Sequence, residues 1–477
     1  MSKKNQNYTN RKQNRFQPER MRGNVFVNNS GKQWLPGENR RAAKIERLLR
    51  GTKEEKKEIA GNMAGYKDSG VEWIGEIPKE WNTCKIDTLY SVRSSRVSDR
   101  YFMPLSVTMQ GVLPRLQSVA KTDNHDDRKL VMKNDFVINS RSDRKQSCGV
   151  SPLDGSVSLI NTVLYPVPNA PVLPDYLDYL LKNHGFAEEF YRWGHGIVAD
   201  LWTTRWQEMK NIFLPIPPVE EQQKIIFSIS TQMEKVDALI ANVQEQIEKL
   251  KAYKQSLITE VATKGLDPTA PMKDSGVEWI GKVPANWKIL KFKYIATIKS
   301  NLVSPKQYPA YPQISPENIE KGSGKLLSCK TVQEVGVESN NHLFFKGQII
   351  YSKVRPILNK VAIAPFDGLC SADMYPIETQ INKQYLVYLM LSDAFLSQVK
   401  LVTENRVKMP KINQEEIAQI IVCCPDESSQ LECAAFLDNK CAQIDKLIAL
   451  KQSKIEKLEQ YKRSLIYEYV TGKKEVS

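Results

Sequence analysis

Two stretches of this 477-residue chain gather side chains that bond well to nucleic acid. Arg141, Arg144 and Lys145 lie within DFVINSRSDRKQSCGVSPLDG (residues 135–155), and Lys353, Arg355, Asn359 and Lys360 lie within QIIYSKVRPILNKVAIAPFDG (residues 348–368). Arginine and lysine bond phosphate oxygens, and arginine and asparagine can also grip base edges through two hydrogen bonds. Arg205 extends the first group, and Arg406 and Lys408 extend the second. A solvated charged loop would account for either stretch alone, but two at matching places favour a DNA-binding surface. Both stretches have apolar alternation before the basic segment and a P-x-D-G turn after it. Each basic loop is therefore expected to run between two strands.

Enzymatic chemistry finds no comparable support. The chain has no D-P-P-Y or N-P-P-Y tetrapeptide for amino-methyl transfer, no glycine-rich cofactor loop after a strand and no convincing nuclease cluster of acids and lysine. No catalytic residue and no cofactor are assigned. G-V-E-W-I-G-K (residues 276–282) approximates a phosphate-binding loop, yet Val283 stands where Ser or Thr is needed, and the matching stretch has Glu76 in place of the lysine. The eight cysteines form no C-x-x-C pair and do not neighbour the four histidines, so neither zinc nor a disulfide framework is expected. His184 and His195 flank Phe190, Tyr191 and Trp193 and read as packing or surface residues. Without a run of roughly 18 apolar residues or a signal peptide, the expected location is the cytosol, with no membrane partner.

The net charge of +14 is concentrated at one end: residues 1–60 hold 16 Lys and Arg against 6 Glu. Residues 1–65 read as a basic, flexible extension with a short helical stretch near Arg41 to Ala60. It is either a solubilising tail or an arm that follows phosphates.

The elements that carry the loops emerge from a repeat. K-D-S-G-V-E-W-I-G occurs at Lys67 to Gly75 and again at Lys273 to Gly281, an offset of 206, with Pro78 and Trp81 repeated as Pro284 and Trp287. This period is too long for a solenoid, so a whole folding unit has been duplicated. Trp73, Trp81, Trp279 and Trp287 are expected to pack each opening strand against its helix, and Gly75 and Gly281 to permit the turn. A second block, residues 236–261, returns as residues 444–469 at an offset of 208. Positions 229, 233, 236, 240, 243, 247, 250, 254, 257 and 261, apolar except for Lys254, step by four and three, as do 437, 441, 444, 448, 451, 455, 458, 462, 465 and 469, apolar except for Lys451 and Lys462, which defines two heptad seams. Two helices of about 45 residues, each on the order of 65 Å long, follow. Each begins after a proline (Pro218, Pro425) with acids in its first turn, where the helix dipole favours them. They are expected to pack as an antiparallel pair about a pseudo-twofold axis. Lys254 and Lys462 occupy equivalent seam positions, and their ammonium groups are expected to snorkel to solvent.

Three motifs together resemble the specificity subunit of type I restriction–modification systems: D-S-G-V-E-W-I-G-x-[IV]-P-x-x-W, I-P-P-V-E-E-Q-Q at Ile216 to Gln223, and I-E-K-L-x-x-Y-K-x-S-L-I. The resemblance runs from about Tyr66 to the C-terminus in two tandem copies. In the second copy, C-P-D-E-S-S-Q (residues 424–430) keeps the second proline, Glu427 and, on this alignment, the last glutamine. The resemblance implies an α+β fold with two tandem target-recognition domains, each a mixed sheet plus helices, separated and joined by the two long helices as an antiparallel coiled-coil pair. The corresponding boundaries are 66–213, 214–265 for the central helix, 266–420, and 421–477 for the C-terminal helix. It implies a non-catalytic subunit whose two domains read the halves of a bipartite asymmetric sequence in double-stranded DNA. Its partners would be two modification subunits, which methylate adenine, and ATP-dependent restriction subunits. Ile225, Ile226, Leu239 and Leu447, apolar and outside the helix seam, are expected to dock the modification subunits. A stand-alone DNA-binding regulator and a duplicated protein-interaction scaffold are the alternatives.

Overall fold

The computed structural model describes residues 65–115, 125–141, 146–196, 202–406 and 408–476. The expected basic extension, except for Gly65, and the candidates Arg144 and Lys145 lie outside the described residues. Along the chain, short strands alternate with helices α1 (Pro174–Lys182), α2 (His184–Arg192), α3 (Trp206–Met209), α4 (Val219–Lys264), α5 (Lys383–Leu391), α6 (Asp393–Thr403), α7 (Gln414–Gln419) and α8 (Glu427–Val470). The fold is mixed α+β. The described residues divide into two compact units: those within 65–172, 185–219 and 471–475 form the first, and those within 173–184, 220–470 and residue 476 form the second. The second unit thus contains nearly all of both long helices, together with α1.

In the first unit, the repeated nonapeptide opens a hairpin of Tyr66–Asp68 against Glu76–Pro78. A four-stranded antiparallel sheet follows, in the order Cys148–Val150, Phe136–Asn139, Asn161–Pro166, Tyr90–Val92. Its inner valines Val137 and Val163 pack with Val131 and Val157 of a three-stranded sheet and with Leu105 and Val112 of a hairpin. β-branched side chains alternating on a pleated strand favour this face-to-face packing.

The second unit repeats the sheet strand for strand: Val361–Ile363, Ile349–Ser352, Met374–Thr379, Ala296–Ile298. Its register repeats as well, with Leu164 opposite Phe136 in one copy and Ile377 opposite Ile349 in the other. The central strand is buried on both faces. Ile349 and Tyr351 enter a core with α5 and α6, while Ile350 enters a core with Ile314, Phe344 and Cys370 of a five-stranded sheet. Within that sheet only Pro312–Ile314 and Gly368–Cys370 pair in parallel. Among the described residues no single helix is long and apolar enough to cross a membrane, and the apolar pair α5 and α6 lines this core.

Divergence between the copies is localised. The offset is 206 from Tyr90 to Ala296, 213 from Phe136 to Ile349, and 208 from Val219 to Glu427. Insertions therefore fall before the central strand, and deletions fall between the sheet and the long helix.

The long helices α4 and α8 span 46 and 44 residues. Asp426 caps α8, accepting the Ser429 N–H at 3.0 Å. Every one of the twenty expected seam positions is buried or half-buried. Lys254 bonds Asp445 at 2.7 Å and Lys462 bonds Asp237 at 2.5 Å, while Lys451 reaches Gln246 at 2.5 Å. Partners descend along α4 as they rise along α8.

The expectation that both lysines snorkel to solvent is corrected by these pairs. At the 208-residue offset Lys254 answers Lys462 and Asp237 answers Asp445, so the two bridges are one interaction made twice. Each lysine lies within reach of a carboxylate from the facing helix, an attraction that hydration of an isolated ammonium does not supply. Asp445 additionally accepts from Lys325 at 2.5 Å. Burial would raise the Asp445 pKa, but hydrogen bonds and charge from Lys254 and Lys325 outweigh it and hold the carboxyl below its ordinary value.

Helix starts and ends also recur in pairs. The Leu173 N–H donates to Gln222 Oε1 and the Asn382 N–H to Gln430 Oε1, both at 2.8 Å. Gln430 is therefore the counterpart of Gln222, one residue away from the match that motif spelling suggests. The Tyr176 hydroxyl donates to the Val470 carbonyl at 3.1 Å, and the Tyr385 hydroxyl to that of Ala262 at 3.0 Å. In the first unit Gly472, at φ 69°, lies against Pro78 and Trp81; in the second, Gly265, at φ 77°, lies against Trp287. A methyl group on Gly265 would come within 3.0 Å of the indole. Trp81 and Trp287 are buried as expected, and Gly75 and Gly281 adopt positive φ. Trp279 departs from the expected core role and is exposed, whereas Trp73 meets Phe186 edge to face.

Candidate nucleic-acid interface

In the second unit, the loop leaving strand Ile349–Ser352 is clamped to the segment that precedes α7. The Arg355 N–H donates to the Pro410 carbonyl at 2.8 Å, the Ile412 N–H donates to the Lys353 carbonyl at 3.0 Å, and Val354 bridges Lys411. The first unit repeats the arrangement on a shorter scale. Arg141, just after strand Phe136–Asn139, bridges Thr203 before α3, and the Thr204 N–H donates to the Ser140 carbonyl at 3.0 Å. The sheet topology thus brings Arg141 and the segment of Arg205 together in one copy, and Lys353, Arg355, Arg406 and Lys408 in the other.

Contacts separate these candidates by the work their side chains already do. Asn359 is buried and donates to the Met390 carbonyl at 3.0 Å, and Lys360 donates to the Pro316 carbonyl at 2.6 Å. Both hold the loop in place: the buried Asn359 amide is corrected from an expected DNA contact to a loop anchor, while the half-buried Lys360 ammonium spends one of its three N–H donors on the loop. Arg406 is held by Glu416 and the Lys411 carbonyl. Burial would raise the Glu416 pKa, but hydrogen bonds from Arg406 and the Asn413 N–H keep it below the usual carboxylate value. The Lys353 ammonium stands 5.3 Å from the Tyr375 ring centroid, a cation–π contact. Burial, followed by the charges of Glu416 and Asp373, raises the Tyr375 pKa above its ordinary value.

Arg141, Arg355 and Lys408 are exposed, and no described residue pairs with their charged ends. Arg205 is exposed at the start of α3, its N–H bonded to Glu208 at 2.9 Å. In the first unit, Glu189, Arg192, Trp193, His195, Gln207 and Glu208 border a cavity of about 410 Å³. Its arginine is paired with Glu189 and Glu72, and the Trp193 indole N–H with Glu189.

Of the four proposed docking residues, Leu239 and Leu447 are 50% and 48% exposed at equivalent places on the two helices. Ile226 is half-buried, and Ile225, at 1% exposure, is corrected from a docking residue to a core one. Near the start of α4 the buried line steps back four residues from Ile229 to Ile225 instead of three to Ile226. This follows from the mismatch between 3.6 residues per turn and a strict seven-residue repeat. Motif reading missed Tyr253 and Tyr461, also exposed and also 208 residues apart. It likewise missed Asp237 and Asp445, whose shared offset with the seam lysines was the available signal.

The same four-stranded sheet therefore occurs in both units, with the described cations Arg141 and Arg355 following equivalent strands. Residues 284–460 match the family described as the type I restriction modification DNA specificity domain. The type I restriction enzyme EcoDI specificity subunit of Escherichia coli is 33% identical over 253 residues, 50% of this chain and 57% of that protein. The MjaVIII specificity subunit of Methanocaldococcus jannaschii is 27% identical over 285 residues, 55% of this chain and 62% of that protein. The matches to these two relatives span little more than half of their length. A solved chain from work described as "Structural basis underlying complex assembly and conformational transition of the type I R-M system" superposes with a TM-score of 0.61 at 13% identity. The match covers 83% of this chain and 98% of that one, a likeness of fold. The chain is thus similar to type I specificity subunits, and the match to the DNA specificity domain lies in its second half.

Proposed function

We propose that this chain is the sequence-specific DNA-recognition subunit of a type I restriction–modification complex. The observation that carries the reading is the pair of clamped basic loops, placed at equivalent strand ends in two copies of one sheet, in a chain with a specificity-domain match. Each copy acts as a target-recognition domain and reads one half of a bipartite asymmetric site in double-stranded DNA, with Arg141 and Arg205 serving the first domain and Arg355 and Lys408 the second. The helices α4 and α8 act as an antiparallel coiled-coil pair with pseudo-twofold symmetry that sets the spacer between half-sites. Supporting this are the doubled Lys–Asp bridges and the paired glutamine and tyrosine anchors. Leu239 and Leu447 each dock one modification subunit. Methylation of adenine and ATP-dependent cleavage belong to the partner modification and restriction subunits, and the chain itself works in the cytoplasm without a cofactor.

The test is to map methylated adenines across the host genome by long-read sequencing, with and without this gene. A split motif that vanishes on deletion supports the reading. Unchanged methylation alongside a correctly assembled complex points instead to a silent subunit or a stand-alone binder.

A further inference from the structure

Arg355 combines three properties found together nowhere else among the described residues of the two loops. Its side chain is exposed and has no partner among the described residues. Its backbone lies in the left-handed region, at φ 46° and ψ 56°, which arginine rarely adopts because its Cβ crowds the carbonyl. It also precedes Pro356, whose ring disfavours helical conformations at the preceding residue.

This conformation is over-determined by its surroundings. The Arg355 N–H is fixed to the Pro410 carbonyl at 2.8 Å, and the Arg355 carbonyl accepts from Leu358 at 2.9 Å. Pro356 is buried, the Ser352 hydroxyl bonds the Val354 carbonyl at 3.0 Å, and Asn359, left-handed as well, is anchored through its side chain to Met390. Backbone strain persists where the surrounding structure enforces it and where a defined geometry is used. A phosphate contact needs no such geometry, because a mobile cation on a long stem serves it. A base contact does, since two guanidinium donors must meet two acceptors in one plane.

We propose that Arg355 is a base-reading residue that selects guanine at one position of the second half-site, through paired hydrogen bonds to the guanine O6 and N7 in the major groove. The inference rests on the DNA-recognition reading above. The strained loop fixes the Cα from which the guanidinium extends. Lys408, exposed on the neighbouring segment, has no such constraint of its own and supplies a phosphate contact.

The experiment uses the full-length tagged chain, purified from its host with its associated subunits and offered a pool of randomised DNA duplexes. Wild type, Arg355→Lys, Arg355→Gly and Lys408→Ala are compared by sequencing the bound fraction at two salt concentrations. Wild type selects a split motif. Arg355→Lys and Arg355→Gly lose a guanine preference of about tenfold to a hundredfold at a single position and keep the rest of the motif. Lys408→Ala weakens binding to all duplexes alike and lowers the salt dependence. Glycine accepts the left-handed backbone, so Arg355→Gly melts no lower than wild type. Equal weakening of every sequence by both Arg355 variants, with the motif unchanged, overturns base reading and leaves Arg355 a phosphate contact. Absence of any motif in wild type overturns the DNA-recognition reading itself, an outcome the variants do not imitate.

Discussion

Asp445 bonds two lysines, Lys254 from the facing helix and Lys325 from the second unit's sheet region, whereas its counterpart Asp237 bonds Lys462. The doubled bridge is therefore unequal. A double-mutant cycle on Lys254 and Asp445 is expected to give a coupling of about 1–2 kcal/mol, because the pair is half-buried and charge-assisted. Asp445→Ala should destabilise more than Asp237→Ala, and equal losses would show that Lys325 adds nothing. The pH sign follows from the depressed folded-state pKa of Asp445. Its contribution is complete above the ordinary value of 3.8 and is lost as pH falls below that through the folded value. The excess effect of Asp445→Ala, measured by denaturant melts, should shrink in that acid window.

Seams occupy one line along each long helix, leaving other faces for partners. Leu239 and Leu447 are exposed at equivalent places, accompanied by Tyr253 and Tyr461 at the same offset. Apolar side chains held in water on opposite members of a repeat suit two copies of one partner. Leu239→Glu combined with Leu447→Glu should change the stability of the chain by no more than about 0.5 kcal/mol, since neither side chain is buried. Co-purification of the modification subunits should be lost. Intact assembly of the double variant would remove these residues from the docking surface. Ile225, by contrast, belongs to the core: its replacement by Ala should cost about 2–5 kcal/mol, as for other buried isoleucines.

For the molecule as a whole, the proposed ruler makes a geometric prediction. Glu248 and Glu456 stand 208 residues apart in the middle of the two helices. Inserting one heptad after each preserves the seam register and lengthens each helix by about 10 Å at 1.5 Å per residue. That corresponds to about three base pairs of duplex at 3.4 Å each. Methylation mapping should then show both half-sites unchanged and the gap between them widened by about three. An unchanged gap would mean that something other than helix length sets the spacer. Inserting a single residue in each helix should instead abolish assembly, because one residue rotates the apolar line about 100° away from its partner.

Much of this architecture is legible along the chain because it is local or periodic. The nonapeptide turns require glycine at positive φ, helix starts require proline and acids, and a seam repeats every seven residues, so each leaves a pattern within a short window. The two loops of cations were legible as well. What tertiary structure alone decided is which of those side chains remain available. Asn359 and Lys360 turn back onto carbonyls 31 and 44 residues away, while Arg355 stays free. Lys254 finds its carboxylate 191 residues away. Partners at such separations are chosen by strand order and helix direction, which depend on the packing of the complete core, and no short stretch of sequence contains that information.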